Sequence, residues 1–164
     1  MIDQEIYELA ERVGHALKDN ALVLTTAESC TGGWIGEAVT MISGSSVWYD
    51  RGFITYTNKA KQQMLGVKAA TLVRHGAVSE ETVLEMVAGA LAASSAQIAV
   101  AVSGVAGPTG GTPDKPVGTV CIAWARTGGA GRAETQHFAG DRYAVRRASV
   151  LRALAGVLDL IQKN

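Results

Sequence analysis

Five consecutive apolar residues, Ile98-Ala99-Val100-Ala101-Val102, lie between Gln97 and Ser103 and constrain the fold more than any other feature of this chain. The run is short and bounded by polar residues, as strands are. A strand without a polar face cannot border solvent and needs cover on both sides. Helix-patterned segments supply that cover. Ile6, Leu9, Ala10, Val13, Ala16 and Leu17 recur at helical spacing and predict a helix over 3–18, ending near Asn20. Ala21 to Thr26 reads as a second buried strand, and Trp34 to Ile42 as a helix. Phe53 to Thr57 predicts a strand, followed by a helix through Lys61 to Leu65 that Asn58 caps. Ser79 and Thr82 compete to cap a helix with Glu80 and Glu81 at its positive end and Val83, Met86, Val87, Ala90 and Leu91 on its apolar face. Val117 to Ala125 and Thr135 to Phe138 predict a hairpin across Gly128, Gly129 and Gly131, and Asp141 to Ile161 a closing helix. The alternation predicts one α/β domain over 1–164, a three-layer α/β/α sandwich with a mixed, mostly parallel sheet and one antiparallel member.

Charge and cysteine usage narrow the function classes. Fifteen basic and fifteen acidic residues cancel, whereas a nucleic-acid binder carries a basic surplus. The cluster Arg142, Arg146, Arg147 and Arg152 is the one candidate patch. No apolar run approaches the roughly 18 residues of a membrane span, and Met1 to Asn20 is charged and amphipathic, unlike a leader peptide. Cys30 and Cys121 fit neither a zinc site nor a disulfide framework, so a reducing cytoplasm is the expected location. His15, His75 and His137 do not pair with carboxylates at metal-ligand spacing, so neither a metal nor a cofactor is expected. A symmetric homo-oligomer is the general expectation for a soluble assembly.

Four constellations have the residue types that chemistry needs. The turn Thr25-Thr26-Ala27-Glu28-Ser29-Cys30-Thr31-Gly32-Gly33 combines hydroxyls, a thiol, a carboxylate and two glycines between a strand and a helix. Its glycines admit close backbone approach, and the helix N–H groups suit a phosphate or a developing oxyanion. Ser29 or Thr31 serves equally well as a plain helix cap. Tyr56 to Lys61 places a lysine one helical turn past Asn58. It is a general base if burial lowers its pKa, and a solvated surface charge otherwise. Ser103 to Gly111 carries a buried strand into a Gly-rich loop that suits a nucleotide or an oxyanion, yet matches neither a Walker A nor a dinucleotide fingerprint. Asp141, Arg142, Arg146 and Arg147 open the last helix and suit a phosphate monoester or a charged solvent face. Ser43-Gly44-Ser45-Ser46 with Arg51 is a turn or a further set of ligand contacts. Cys30 is a rival nucleophile, though without an assignable histidine partner.

Taken in order, Ala27-Glu28-Ser29-Cys30-Thr31-Gly32-Gly33, Gly44-Ser45-Ser46, Arg51 to Tyr56, Lys61, His75 to Ser79, Ser103 to Pro108 and Lys115 to Val120 resemble the CinA C-terminal domain family from the first helix to the last. The resemblance implies a three-layer α/β/α fold and hydrolysis of nicotinamide mononucleotide to nicotinate mononucleotide and ammonia, within pyridine nucleotide recycling. It also implies a serine amidase site, with Ser29 as nucleophile and Tyr56 and Lys61 as helpers. The expected substrate contacts are Thr31, Gly32, Gly33, Ser45, Ser46, Arg51, Ser103, Gly104, Gly107, Arg142 and Arg146. Two other classes remain open at this stage: a metal-dependent nucleotide pyrophosphatase and a non-catalytic nucleotide-binding module.

Overall fold

The protein is described by a computed structural model covering residues 1–163. The chain runs α1 (Gln4–Asp19), β1 (Leu24–Glu28), α2 (Trp34–Thr40), a 3-10 turn (Ser45–Val47), β2 (Tyr49–Ile54), α3 (Asn58–Leu65), α4 (Ala69–His75), α5 (Glu80–Ala92), β3 (Ile98–Gly104), β4 (Thr119–Arg126), β5 (Arg132–His137) and α6 (Arg142–Gln162). The strands form one sheet in the order β2-β1-β3-β4-β5. β1 is parallel to both β2 and β3, while β4 is antiparallel to β3 and to β5. β4 is therefore the single member that runs against the rest.

Side-chain size sorts the two faces of the sheet. In β3, Ile98, Val100 and Val102 join the core formed with α1, α2 and α6, while Ala99 and Ala101 join the core formed with α5. β4 repeats the pattern, with Val120, Ile122 and Trp124 on the first face and Cys121, Ala123 and Ala125 on the second. Small residues on that second face let α5 sit close, against β1, β3 and β4 together. The first face is filled by Trp124, whose indole Nε1 donates to the Ala153 carbonyl at 2.9 Å. Every residue of β1 is buried, and so is every residue of β3 except Gly104, as a sheet covered on both sides requires. No helix among the described residues is long and apolar enough to cross a membrane.

Several boundaries differ from the sequence expectation. β1 starts at Leu24 rather than Ala21, because Ala21 takes φ +54° in the turn that leaves α1. β2 covers Tyr49–Ile54, so Thr55 to Thr57 lie beyond the strand. Thr57, not Asn58, caps α3 by accepting from the Ala60 N–H at 3.1 Å. α4 was not anticipated, and β5 begins at Arg132 rather than Thr135. Ser79 caps α5 and Asp141 caps α6.

The topology locates a crevice. From β1 the chain crosses by α2 to β2 on one side, and from β3 it turns to β4 on the other. Connections that leave adjacent parallel strands in opposite directions open a gap beyond their carboxyl ends, where α/β proteins place ligands. Here that gap lies beyond Glu28 and Gly104.

α5 owes its close approach to Gly89, where a Cβ would meet the Leu65 backbone well inside contact distance. Gly89→Ala is therefore expected to forgo the roughly 1 kcal/mol that alanine ordinarily gains over glycine in a helix. It should instead lower stability by about 1–3 kcal/mol through overpacking. Urea denaturation measures this, and a variant at least as stable as the parent would show that α3 and α5 have room to separate.

Candidate active site

The first component is the turn after β1. The Ser29 N–H donates to the Val102 carbonyl at 3.0 Å, which pins the turn to the end of β3. The chain then folds back on itself, with the Gly32 N–H donating to the Ser29 carbonyl at 3.0 Å and the Trp34 N–H to the Thr31 carbonyl at 3.1 Å. Gly32 and Gly33 take φ +61° and +102°, values that side chains with a Cβ rarely adopt. Gly33 offers no side chain to cap α2, and Glu28 takes over that function. Its buried carboxylate accepts from the Thr31 hydroxyl at 2.6 Å, the Ile35 N–H at 2.8 Å and the Gly36 N–H at 3.0 Å. The positive end of α2 is thus occupied by the chain's own anion.

The second component is Lys61, which is 1% exposed. The Thr57 cap sets the register of α3 and turns this lysine inward. Its Nζ lies 3.0 Å from Ser29 Oγ, 2.9 Å from the Thr55 carbonyl and 3.3 Å from the Tyr56 carbonyl. The Thr55 N–H donates to the Glu28 carbonyl at 2.8 Å, so the segment facing the amine is tied to the strand that presents Ser29. Burial pushes the Lys61 pKa below its ordinary value, and the neighbouring Cys30 thiol opposes this. None of the ion pairs among the described residues involves Lys61. Burial also pushes the Cys30 thiol up to about 11, which leaves little thiolate at neutral pH.

Ser29 and Lys61 open into a cavity of about 350 Å³. Ser103, Gly104 and Gly107 border it from β3 and the following loop, together with Thr109 and Gly110. Ala77 and Val78 form an apolar wall, and Asn58 adds an amide from the start of α3. Arg142, the first residue of α6, closes the rim. Its guanidinium donates to the Gly107 carbonyl at 2.8 Å and to the Tyr56 phenol at 3.1 Å. No carboxylate pairs with Arg142 among the described residues. A larger hollow of about 770 Å³ lies on the other side of Val78, lined by His75, Glu81 and Cys121 among others. Burial raises the Cys121 thiol, and in the same hollow the Thr119 hydroxyl lies 3.4 Å from His137 Nδ1 while the Thr135 hydroxyl donates to the Glu80 carboxylate at 2.7 Å.

The fold does not gather every predicted site residue at this cavity. Tyr56 contributes its main-chain carbonyl beside Lys61, while the residue as a whole is 58% exposed and its phenol accepts from Arg142. Thr31, Gly32 and Gly33 lie behind Ser29, and the Thr31 side chain is buried against Glu28. Arg146 donates to the Cys30 carbonyl at 3.0 Å and the Thr31 carbonyl at 3.1 Å, with its guanidinium over Trp34. Arg147 pairs with Asp3 and Glu5, and Arg152 with Glu134. Arg51 pairs with Asp50 and donates to the Ala93 carbonyl. Ser45 and Ser46 lie in the turn that delivers the Trp48 carbonyl to the Leu24 N–H. Both groups flank the amino end of β1. The four-residue rise from Thr25, which is paired with Arg51, puts that end about 13 Å from Ser29. Asn58, Thr109, Ala77 and Val78 border the cavity without having been predicted. Asn58 and Thr109 lie inside the nominated segments Tyr56 to Lys61 and Ser103 to Gly111, and Ala77 and Val78 inside the His75 to Ser79 stretch that carries the family resemblance, though none of the four was singled out as a contact.

Residues 6–161 match the CinA C-terminal domain family. The chain is 54% identical over 164 residues to the Escherichia coli K12 protein named nicotinamide-nucleotide amidohydrolase PncC, covering 100% of this chain and 99% of that one. A Pseudomonas putida protein of the same name is 53% identical over 155 residues, covering 94% of this chain and 96% of its own. Among solved structures, the competence/damage inducible protein CihA of Agrobacterium tumefaciens superposes with a TM-score of 0.95 at 45% identity, covering 98% of each chain. Sequence and fold agree over nearly the whole length, and the chain belongs to the CinA C-terminal domain family.

Proposed function

We propose that this protein hydrolyses the carboxamide of nicotinamide mononucleotide, with Ser29 as nucleophile and Lys61 as general base. The observation that carries the reading is the set of three oxygens around the buried amine. A neutral amine has two N–H donors and one lone pair. Two carbonyls, of Thr55 and Tyr56, take the donors of the neutral amine; the Ser29 hydroxyl, 3.0 Å from Nζ and 3.4 Å from the Tyr56 carbonyl, then turns its proton from that carbonyl to the free lone pair. Burial favours that neutral form. A serine activated by an adjacent base is the arrangement amide hydrolysis needs. The names of the Escherichia coli and Pseudomonas putida relatives support the same reaction and substrate.

The steps balance without a further reagent. Lys61 takes the Ser29 proton as Oγ attacks the amide carbon, and the carbonyl oxygen becomes an oxyanion. Backbone N–H groups at the turn stabilise it, each worth roughly 3 kcal/mol of barrier. Collapse breaks the C–N bond, ammonia leaves with the proton from Lys61, and an acyl ester remains on Ser29. Water then gives a proton to Lys61 and attacks the ester. Oγ departs, recovers that proton, and nicotinate mononucleotide is released. Tyr56 assists through its carbonyl on the amine and by holding Arg142 with its phenol. Arg142, which pairs with no carboxylate among the described residues, takes the phosphate. Ala77 and Val78 take the pyridine ring, and Ser103, Gly104 and Gly107 shape the wall opposite.

Ammonia release from the mononucleotide tests the assignment. Ser29→Ala should lower kcat by at least about a thousandfold while the variant stays folded. The parent's rate should be unchanged by a chelator, whereas a metal-dependent pyrophosphatase would stop. Arg142→Ala should raise KM about 10- to 100-fold, the equivalent of one charge-assisted contact, with kcat within a few-fold of the parent.

The base also has a pH signature. Because Lys61 acts neutral, kcat/KM should rise with pH through its lowered pKa. Stability carries the same sign. The unfolded lysine binds a proton that the folded one releases more readily, so the parent should gain stability relative to Lys61→Met as pH increases from that lowered pKa toward 10.5. Thermal unfolding of both proteins across this range measures the difference, and a flat difference would mean that the amine is charged in the fold.

A further inference from the structure

Arg146 was grouped in the sequence with the phosphate-binding candidates, yet its contacts lead elsewhere. It stands one turn after Arg142 on α6, and its side chain reaches back to the nucleophile turn. Nε donates to the Cys30 carbonyl at 3.0 Å and Nη2 to the Thr31 carbonyl at 3.1 Å, while the guanidinium plane lies 5.5 Å from the Trp34 ring centroid. α6 packs on α2 and on the same face of the sheet, which places this arginine behind the turn.

We propose that Arg146 is a positioning residue that sets the oxyanion donors beside Ser29, and not a ligand of the substrate phosphate. The inference rests on the reading of Ser29 as the nucleophile. Its argument is the planarity of the peptide bond, in which C=O and N–H of one unit point in opposite directions. Arg146 holds the Cys30 carbonyl on one side, so the Thr31 N–H of the same unit points to the other. Arg146 also holds the Thr31 carbonyl, which aims the Gly32 N–H at the Ser29 carbonyl, 3.0 Å away. With its carbonyl drawn back in this way, the Ser29–Cys30 unit presents the Cys30 N–H outward. The Thr31 N–H finds no acceptor among the described residues, and the Cys30 N–H has only its own sulfur within reach, a weak acceptor that a substrate oxyanion would outcompete. Open backbone donors in a buried turn are uncommon and call for a partner. The residue after a nucleophile on a strand-to-helix turn is a known place for an oxyanion donor. Ser29 and Cys30 both border the cavity in which the reacting carbonyl would lie. A guanidinium suits the task because it supplies two donors at fixed separation, which a lysine ammonium does not.

The test separates the two arginines by what each changes. In the full-length protein acting on nicotinamide mononucleotide, Arg146→Ala should lower kcat about a hundredfold, the scale of one lost oxyanion donor, with KM within threefold of the parent. Guanidinium ion added well below denaturing concentration should restore part of that kcat. If Arg146→Ala does not fold, Arg146→Lys is read the same way and should show a smaller kcat loss at unchanged KM. An unchanged kcat, a loss confined to KM, or a kcat loss that guanidinium leaves untouched overturns the proposal. Ser29→Ala run beside it separates the failures. A fully active Ser29→Ala removes the nucleophile assignment itself, whereas an inactive one together with an Arg146→Ala of parental kcat removes only the role given to Arg146.

Discussion

A primary amine with almost no access to water, facing three neutral oxygens, is the interaction around which the crevice is organised. Burying a charged lysine without a counter-ion is costly, and the usual outcome is a lowered pKa. The chain supports the amine with main-chain atoms. The Thr55 N–H still continues the pairing of β2 with β1 through the Glu28 carbonyl, but the Thr55 and Tyr56 carbonyls turn to Lys61. One bond between Thr55 and Glu28 therefore couples the segment that holds the amine to the strand that carries Ser29. Neither group can shift far without the other.

The unequal faces of the sheet follow from the same demand for close placement. Alanines on one side bring α5 close, and α3 is in turn packed against α5. Lys61 is delivered from α3, so the depth of its amine is set by the thickness of this layer. The other face uses Trp124 and branched residues to hold α6 and α1. α6 is long enough to carry Arg152, paired with Glu134 on the edge strand, and also Arg142 at the crevice. Packing on one face sets the buried amine, and packing on the other sets the rim.

Much of this architecture is legible in residue order, and what is not has identifiable causes. The helices with a strong apolar stripe, α1 and α5, and the fully buried strand β3 are visible as patterns. β2 is visible only at its Phe53-Ile54 end, because an edge strand reading Tyr-Asp-Arg-Gly at its start, with several exposed positions, shows neither alternation nor an apolar run there. α4 is a seven-residue helix with a single buried side chain, too short for periodicity to register. In the crevice, pattern reading leaves Ser29 between nucleophile and helix cap and Lys61 between base and surface charge; the family resemblance singles out Ser29, Tyr56 and Lys61, and neither shows that Tyr56 turns its carbonyl, rather than its phenol, toward the amine. Arg142 and Arg146 are chemically identical and four residues apart. Only the register of α6 sends one to the rim and the other behind the turn. Ser45, Ser46 and Arg51 are expected substrate contacts in the sequence, yet sit at the amino end of β1, a placement that only the pairing of Thr25 with Arg51 reveals.

Glu28 orders the electrostatics of the whole site. Its carboxylate occupies the positive end of α2, with three donors on two oxygens. That end would otherwise compete for any anion entering the crevice. A substrate phosphate arriving next to Ser29 meets a helix terminus already neutralised and a buried negative charge behind it. The rim presents the opposite field, from a guanidinium bound to a carbonyl and a phenol and, among the described residues, to no anion. On the proposed reading, a molecule with phosphate at one end and an amide at the other is therefore sorted as it enters. The phosphate stays outside with Arg142, and the uncharged amide goes in to the amine and hydroxyl. Orientation then comes from charges fixed before the substrate arrives, so little binding energy needs to be diverted to reorganising the site.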